Sequence, residues 1–385
     1  MAVDHQPTFS RTSLNILILV CVVLILIFGQ STQDNSEIKL PPVPKLNTSI
    51  WKTDSGASVW FSPKLDEHIY IQLDFLAGFS FNQPPYPAGT SQLLVSLLNA
   101  QAEAQKLPVQ FQLSMDFIEG RIQLSTEPLT MKKQLSAITQ LIYRPKLSPN
   151  DLQDAKLIIN TPIDDIWQQT FANHTYKGPK QGTTESVSAI HRAIVQNFQH
   201  SYLHPKRVFA GISGNVNETA AQVIMETLLP VKAHQAATTQ RAESAPTRYV
   251  MDNQFLVLAL PGSYDGIEAI SEQKMALCLL QAIHPNQVTL REGNSNNALL
   301  IEQWDNLKLA MDTKLNSDMM RQAKRQCIKQ AFEQTQTAKE LSQFLAWLNR
   351  YRLPSNFLHK QFAHIESWQL EHWRTLQSNW FNTSE

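Results

Sequence analysis

The sequence predicts an α+β protein in which helices pack on antiparallel sheets, preceded by one membrane-spanning helix. Short runs of alternating apolar and polar residues recur between segments with helical periodicity. The chain has 385 residues, of which 43% are hydrophobic, so it is long and apolar enough for two domains with separate cores. Before them, Leu14–Gly29 is almost wholly aliphatic apart from Asn15, which is typical of a membrane span.

The apolar segment predicts an uncleaved signal anchor over residues 14–30. At about 1.5 Å per residue, such a helix spans most of a bilayer core of about 30 Å. Arg11 precedes the segment and Asp34 follows it, which favours a cytoplasmic tail over residues 1–13. In a bacterium, the protein would be a single-pass protein of the inner (cytoplasmic) membrane with its body in the periplasm. Gly29, Gln30 and Ser31 would also suit signal cleavage, and that alternative stays open.

Charge and cysteine content exclude some classes of protein. The formal net charge is zero, so no overall field recruits nucleic acid, and we expect no nucleic-acid partner. The three cysteines, Cys21, Cys278 and Cys327, form no spaced framework. We expect Cys278 and Cys327 to be buried free thiols, with a bridge between them as the alternative.

We predict a proline-rich tether over residues 31–50 and a first α+β domain over residues 51–205. Its strand candidates are Ala57–Ser62, His68–Phe75, Val109–Met115 and Ile118–Ser125. The first two are expected to form a hairpin. Its helix candidates begin at Thr90 or Ser91, either of which can cap, at Leu129 and at Ser148.

Residues 206–385 predict a second domain of the same class. Its strand candidates are Arg207–Ser213, Phe255–Leu260, Ala298–Gln303 and Leu307–Asp312. Its helix candidates are Glu218–Leu229, Ile267–Ile283, Ser317–Asn349 and Ile365–Trp380. This order of elements favours helices layered on antiparallel sheets.

One ordered set of segments carries a resemblance to a known family. A strand ends in Leu76-Ala77-Gly78-Phe79, a proline-broken loop follows, and a leucine-rich helix covers Gly89–Asn99. Further on come Tyr176–Pro179, Tyr202–Pro205 and Ile212–Asn215. Over about residues 51–230 the chain resembles the pitrilysin/insulinase metallopeptidases, which include the mitochondrial processing peptidases. The resemblance implies two similar half-domains that together form one half of a clamshell enzyme.

The resemblance also implies a zinc cofactor, but the ligand positions are changed. The family's H-x-x-E-H motif falls on Gln92, Val95 and Ser96, and its third ligand falls on Thr161, with Asp154 at the preceding acidic position. Amide and hydroxyl groups are poor zinc ligands, and a valine cannot act as a general base. We therefore expect no bound cofactor, no catalytic residues and no hydrolysis by this chain alone.

Few other residues are candidates for a site. Leu290-Arg291-Glu292-Gly293 matches the start of a segment that holds the substrate's carbonyl region in the family, so the resemblance implies a substrate-binding role for Arg291, although the family's tyrosine is missing. His200 and His204 have a weak metal-ligand spacing. His364, Glu371 and His372 are better explained as a solvated helix face.

Three functions remain open. The first is a pseudopeptidase subunit that pairs with a zinc-bearing homologue as a heterodimer, which predicts an exposed apolar face. The second is a stand-alone, membrane-tethered module that binds extended peptides or acts as a scaffold. The third is a metallopeptidase with a rearranged site.

Overall fold

The computed structural model describes residues 42–157, 164–232, 235–238, 243–252, 254–262 and 266–381. The predicted tail and anchor, and most of the predicted tether, lie outside these residues. Within them, no helix has both the length and the apolar character needed to cross a membrane. The chain divides after Pro42, and Val43–Glu385 forms one unit with its own core.

The described strands belong to two sheets. They are β1 Ser49–Lys52, β2 Ser58–Pro63, β3 His68–Phe75, β4 Val109–Leu113, β5 Ile118–Ser125, β6 Val208–Gly214, β7 Arg248–Met251, β8 Phe255–Pro261, β9 Val288–Arg291 and β10 Asn296–Glu302. The first sheet has the order β1-β2-β6-β3-β5-β4, and the second has the order β7-β8-β10-β9.

The helices lie between and after these strands. They are α1 Thr90–Ala104, α2 Pro128–Tyr143, α3 Pro149–Leu157, α4 Asp164–Thr170, α5 Thr184–Ala189, α6 Arg192–Tyr202, α7 Glu218–Leu228, α8 Ile267–Ile283, α9 Trp304–Lys314, α10 Ser317–Glu333, α11 Ala338–Arg350, α12 Phe357–Ser367 and α13 Leu370–Phe381. The mixed α and β class predicted from the sequence is confirmed, and α8 has the predicted bounds.

Strand β6 corrects two predictions about the first sheet. It runs parallel to β2 and antiparallel to β3, and it lies between them. The predicted hairpin of β2 and β3 is therefore wrong. The sequence assigned β6 to the second domain, but it is a central strand of the first sheet. Its almost continuous burial is typical of a central strand, and nothing local in the sequence indicates which neighbours it pairs with.

The first sheet has an apolar face and a polar face. On the apolar face, Leu73 and Phe75 of β3 belong to one core with Leu93 and Leu94 of α1. Helix α11 contacts β2, β3 and β6 on the other face. Gly211 of β6 permits this contact, because a Cβ atom there would lie 2.0 Å from the carbonyl oxygen of Ser342 on α11.

The carboxyl-terminal region contains three further corrections. The predicted strand Leu307–Asp312 lies within α9. The predicted helix Ser317–Asn349 is two helices, because Thr337 caps α11 by accepting a hydrogen bond from the Glu340 amide at 3.2 Å. The predicted helix Ile365–Trp380 is likewise divided between α12 and α13.

The expectation of two free thiols is also wrong. Cys278 of α8 and Cys327 of α10 form a disulfide, with their Cα atoms 5.6 Å apart. Helices α8 and α10 pack side by side, which brings together two residues that lie 49 positions apart in the sequence. The cysteine spacing alone did not reveal this pairing.

Candidate functional site

Helix α1 carries the three positions at which the resemblance placed a zinc motif. The helix begins after Gly89, which has a left-handed φ of 91° and whose Cβ, if present, would lie 2.6 Å from the Gln181 carbonyl oxygen. Neither Thr90 nor Ser91 caps the helix through its side chain. Instead, Asn82 Oδ1 accepts a hydrogen bond from the Ser91 amide at 3.0 Å.

These three positions do not form a metal site. Val95 is 4% exposed and packs in the apolar core, and its side chain has no atom that could bind a metal or accept a proton. Gln92 Nε2 donates to Ser96 Oγ over a long 3.4 Å, which joins the other two positions to each other. Among the described residues, no group of three or more His, Cys, Asp or Glu side chains could hold a metal ion. This neutral donor set does not fit zinc.

The structure brings few of the other predicted site residues together. Asp154 is exposed on α3, and Thr161 lies outside the described residues. Arg291 ends the edge strand β9, where its guanidinium carbon lies 5.2 Å from the centre of the Trp167 ring. Its predicted substrate-binding role stays a prediction.

Two of the histidine candidates, His204 and His372, make local hydrogen bonds. His204 is 2% exposed, and its Nδ1 accepts from the Lys206 amide at 3.2 Å. His372 Nδ1 accepts from the Gln369 amide at 2.9 Å. Each of these nitrogens therefore accepts a hydrogen bond from a backbone amide close to it in the sequence.

A buried polar network joins the first sheet to the loop after β9. Asp116 accepts from Ser80 Oγ at 2.7 Å, from Tyr176 Oη at 2.6 Å and from the Asn294 amide at 2.7 Å. Ser295 extends the network, because its Oγ donates to Tyr176 Oη at 3.2 Å. Burial, reinforced by Asp116, raises the pKa of Tyr176 well above its usual value, so the phenol stays protonated and donates.

This network contains a serine next to a histidine, but the pair is not a catalytic dyad. Ser295 Oγ lies 3.1 Å from His174 Nε2, and Nε2 also lies 2.9 Å from the Glu243 carbonyl oxygen. A carbonyl only accepts, so Nε2 carries the proton. His174 Nδ1 in turn accepts from the Tyr176 amide at 3.2 Å. Since both ring nitrogens are engaged, His174 offers no base to Ser295.

The polar face of the first sheet holds an ion cluster centred on Arg350, the last residue of α11. Arg350 Nη1 lies 3.1 Å from Asp74 Oδ2 and 3.0 Å from Glu119 Oε1, while Nη2 lies 3.5 Å from Glu292 Oε2. Trp347 Nε1 donates to the same Glu292 oxygen at 2.5 Å. One guanidinium thus connects α11, two strands of the first sheet and the loop after β9.

Burial shifts the pKa of one carboxyl group in this cluster and of a lysine beside it. Asp74 is 1% exposed, and burial raises its pKa to about 7, although Arg350 opposes the shift. Burial also lowers the pKa of Lys274, whose ammonium lies 3.8 Å from the centre of the Trp347 ring. The cluster therefore contains an acid that titrates near neutral pH and a desolvated amine.

Sequence reasoning missed this cluster. It selected Arg291, whereas the neighbouring Glu292 is the residue that joins the cluster. A signal was present, since Gln72 and Asp74 alternate with apolar residues in β3, and Glu119 and Arg121 do so in β5. That alternation indicated a polar sheet face. It could not indicate that Arg350, more than 200 residues away, would cover it.

No protein-family model matches the sequence, and no curated protein matches it. Solved structures do. The peptidase M16 inactive domain from Pseudomonas fluorescens aligns at a TM-score of 0.68 and 16% identity, over 86% of this chain and 95% of that one. A putative M16-like peptidase from Alicyclobacillus acidocaldarius aligns at 0.66 and 14% identity, over 88% and 95% respectively.

The chain therefore has the fold of peptidase M16 domains, which confirms the predicted resemblance at the level of fold. The chain is also similar in fold to the periplasmic protease PqqL from Escherichia coli. The first half of that protease aligns at a TM-score of 0.62 and 13% identity, over 89% of this chain and 91% of that half. The chain covers 47% of full-length PqqL, so it spans about half the length of that protease.

Proposed function

We propose that this chain is a catalytically inactive, peptidase-like subunit that pairs with a zinc-bearing homologue in peptide or protein processing. The observation that carries the proposal is the state of α1. The resemblance aligns α1 with the family's zinc helix, and on that alignment Gln92, Val95 and Ser96 stand where metal ligands and a base would be needed. Such a chain can shape or hold a substrate, and the chemistry must come from another polypeptide.

The pairing is supported by length and by an apolar surface. The chain matches half of a longer protease, so a second half supplied by another chain would complete a comparable assembly. A groove of about 330 Å³ beside the edge strand β7 combines aromatic and methionine side chains, including Tyr249, Trp304 and Phe381, with the polar side chains of Lys308, Arg374, Gln377 and Ser378. Met251 in this groove is 54% exposed. Exposed apolar surface next to a strand edge suits a protein partner.

The proposal places the body outside the cytoplasm, held at the membrane by residues 14–30. Arg11, which lies close to the amino-terminal end of that segment, supports this orientation. The disulfide between Cys278 and Cys327 also supports it, because such bonds persist in oxidising compartments such as the periplasm.

A stand-alone peptide-binding or scaffold module is the second candidate. It is favoured by β4, the five-residue edge strand Val109–Leu113, which pairs with β5 on one side. An extended peptide can add to an edge of this kind through backbone hydrogen bonds. A rearranged metallopeptidase has less support, since the described residues hold no cluster that could bind a metal.

Affinity purification of the tagged full chain from its native membrane tests the pairing. We expect a stoichiometric second chain that contains H-x-x-E-H, with zinc present in the eluate. A lone, metal-free chain would contradict pairing and favour the stand-alone module, whereas zinc on the lone chain would overturn both. Met251→Asp should reduce recovery of the partner, while Leu65→Asp, at a site that is 87% exposed and outside the groove lining, should leave it unchanged.

A further inference from the structure

A cavity of about 390 Å³ opens on the polar face of the first sheet. Residues of β3 and β5 line one side, and residues of α8, α10 and α11 line the others. Ligand pockets have volumes of roughly 300 to 1,000 Å³, so the cavity has room for a small molecule or for one long side chain.

The lining of the cavity is acidic. Its carboxylates are Asp74, Glu119, Glu292, Glu333 and Glu340, and its cations are Arg121, Lys274 and Arg350. Even when Asp74 is protonated, the other four carboxylates outnumber the three cations. Arg350 is already shared among three of the carboxylates, so its charge is largely compensated within the protein. A cation that enters the cavity is favoured electrostatically over an anion.

Unpartnered acceptors in the same lining provide an independent observation. Gln72 is 3% exposed, and its Nε2 donates to Asp74 Oδ1 at 2.6 Å, which sets the orientation of the amide. Its Oε1 is buried and has no hydrogen-bond partner in the described part of the protein. Gln334 Oε1 and Glu340 Oε2, also in the lining, are buried without a partner there as well.

Buried acceptors without donors are unfavourable, so the lining calls for a group rich in N–H bonds. Two guanidinium nitrogens in the lining, Arg121 Nε and Arg350 Nε, are also buried without a partner among the described residues. They could accommodate an acceptor, but the excess of carboxylates decides the sign of the ligand's charge. A guanidinium group matches both requirements, because it carries a delocalised positive charge and five N–H donors.

We propose that this cavity binds a guanidinium group, supplied either by a small molecule or by an arginine side chain of a peptide. The unpartnered oxygens of Gln72, Gln334 and Glu340 accept its N–H groups, and the surplus carboxylate charge balances its cation. The inference goes beyond the proposed pairing and does not depend on it, because it rests only on residues of this chain.

Calorimetric titration of the full-length protein in detergent with arginine amide tests the inference. Citrulline amide is the matched probe, since it has nearly the same shape but a neutral urea in place of the guanidinium. We expect arginine amide to bind at least 10-fold more tightly than citrulline amide. Binding should weaken about 10-fold in Glu340→Gln, whereas Glu371→Gln, at an exposed carboxylate outside the cavity lining, should leave it unchanged.

The outcomes separate the sources of the ligand. An extended alanine peptide with one arginine that binds more tightly than arginine amide would identify a peptide side chain as the ligand. Equal affinities would identify a free small molecule. The proposal is overturned if arginine amide shows no binding at millimolar concentration, if citrulline amide binds equally well, or if Glu371→Gln weakens binding as much as Glu340→Gln does.

Discussion

The two faces of the first sheet have opposite characters. On one face, α1 covers β3 with leucines and a valine, and the positions at which the resemblance places zinc ligands are neutral or buried. On the other face, α11 covers the same strand with Arg350, which lies among three carboxylates. The difference teaches that one sheet of this fold can carry an apolar cover on one side and a charged, cavity-forming arrangement on the other.

The largest expected effect comes from removing Arg350. Arg350→Met leaves Asp74 and its neighbouring carboxylates uncompensated in a buried site, which we expect to lower the free energy of unfolding by about 3–5 kcal/mol. Urea denaturation measures this change. Arg321→Met is the matched control, because its ion pair with Asp318 is exposed, and it should cost less than about 1 kcal/mol. Equal losses in the two variants would refute the distinction between the faces.

Breaking the disulfide tests how much the link between α8 and α10 stabilises the protein. Helix α10 supplies one side of the cavity on the polar face. The two cysteines are 49 residues apart, and closing a loop of that length reduces the unfolded-state entropy by an amount worth about 4 kcal/mol. Reductant should therefore lower the urea midpoint of the natural protein. The double variant Cys278→Ala, Cys327→Ala should show the lower midpoint with or without reductant. A midpoint insensitive to reductant in the natural protein would argue against the bond.

The pH dependence of stability should reveal Asp74. Burial raises its folded-state pKa from an ordinary 3.8 to about 7. Between these values the folded state holds the proton more tightly, so the contribution of Asp74 to stability is present below about pH 4 and is lost as the pH rises to about 7. Asp74→Asn does not titrate. Its free energy of unfolding should therefore rise relative to the natural protein across this interval, by up to roughly 4 kcal/mol. Parallel pH profiles for the two proteins would show that Asp74 does not titrate in this way.

The smallest expected effect concerns the contact between α11 and the sheet. Gly211→Ala places a methyl group against the backbone of Ser342 and Ala346, and the resulting shift of α11 should cost about 1–3 kcal/mol. Gly178→Ala is the matched control, since no atom beyond its two chain neighbours lies within 4 Å of the position of its Cβ. Thermal unfolding compares the two variants. If Gly211→Ala is as stable as Gly178→Ala, α11 does not pack this closely on the sheet.

The sequence predicted the parts of this architecture that depend on local patterns. The bounds of α8 and the alternation of β3 follow from short-range periodicity. The placement of the zinc motif on Gln92, Val95 and Ser96 comes from the family resemblance and stays a prediction. The sequence did not predict the insertion of β6 between β2 and β3, the disulfide, or the contacts of Arg350. Each of these depends on residues far apart in the sequence, which local periodicity does not report.

The most direct test of the central claim is zinc binding and peptide hydrolysis by the purified full-length chain alone. Titration with zinc should show no stoichiometric site, and a mixture of quenched fluorescent peptides should remain uncleaved, because α1 offers neither ligands nor a base. One zinc ion per chain, together with hydrolysis that a chelator abolishes, would contradict the account and establish a peptidase with a rearranged site.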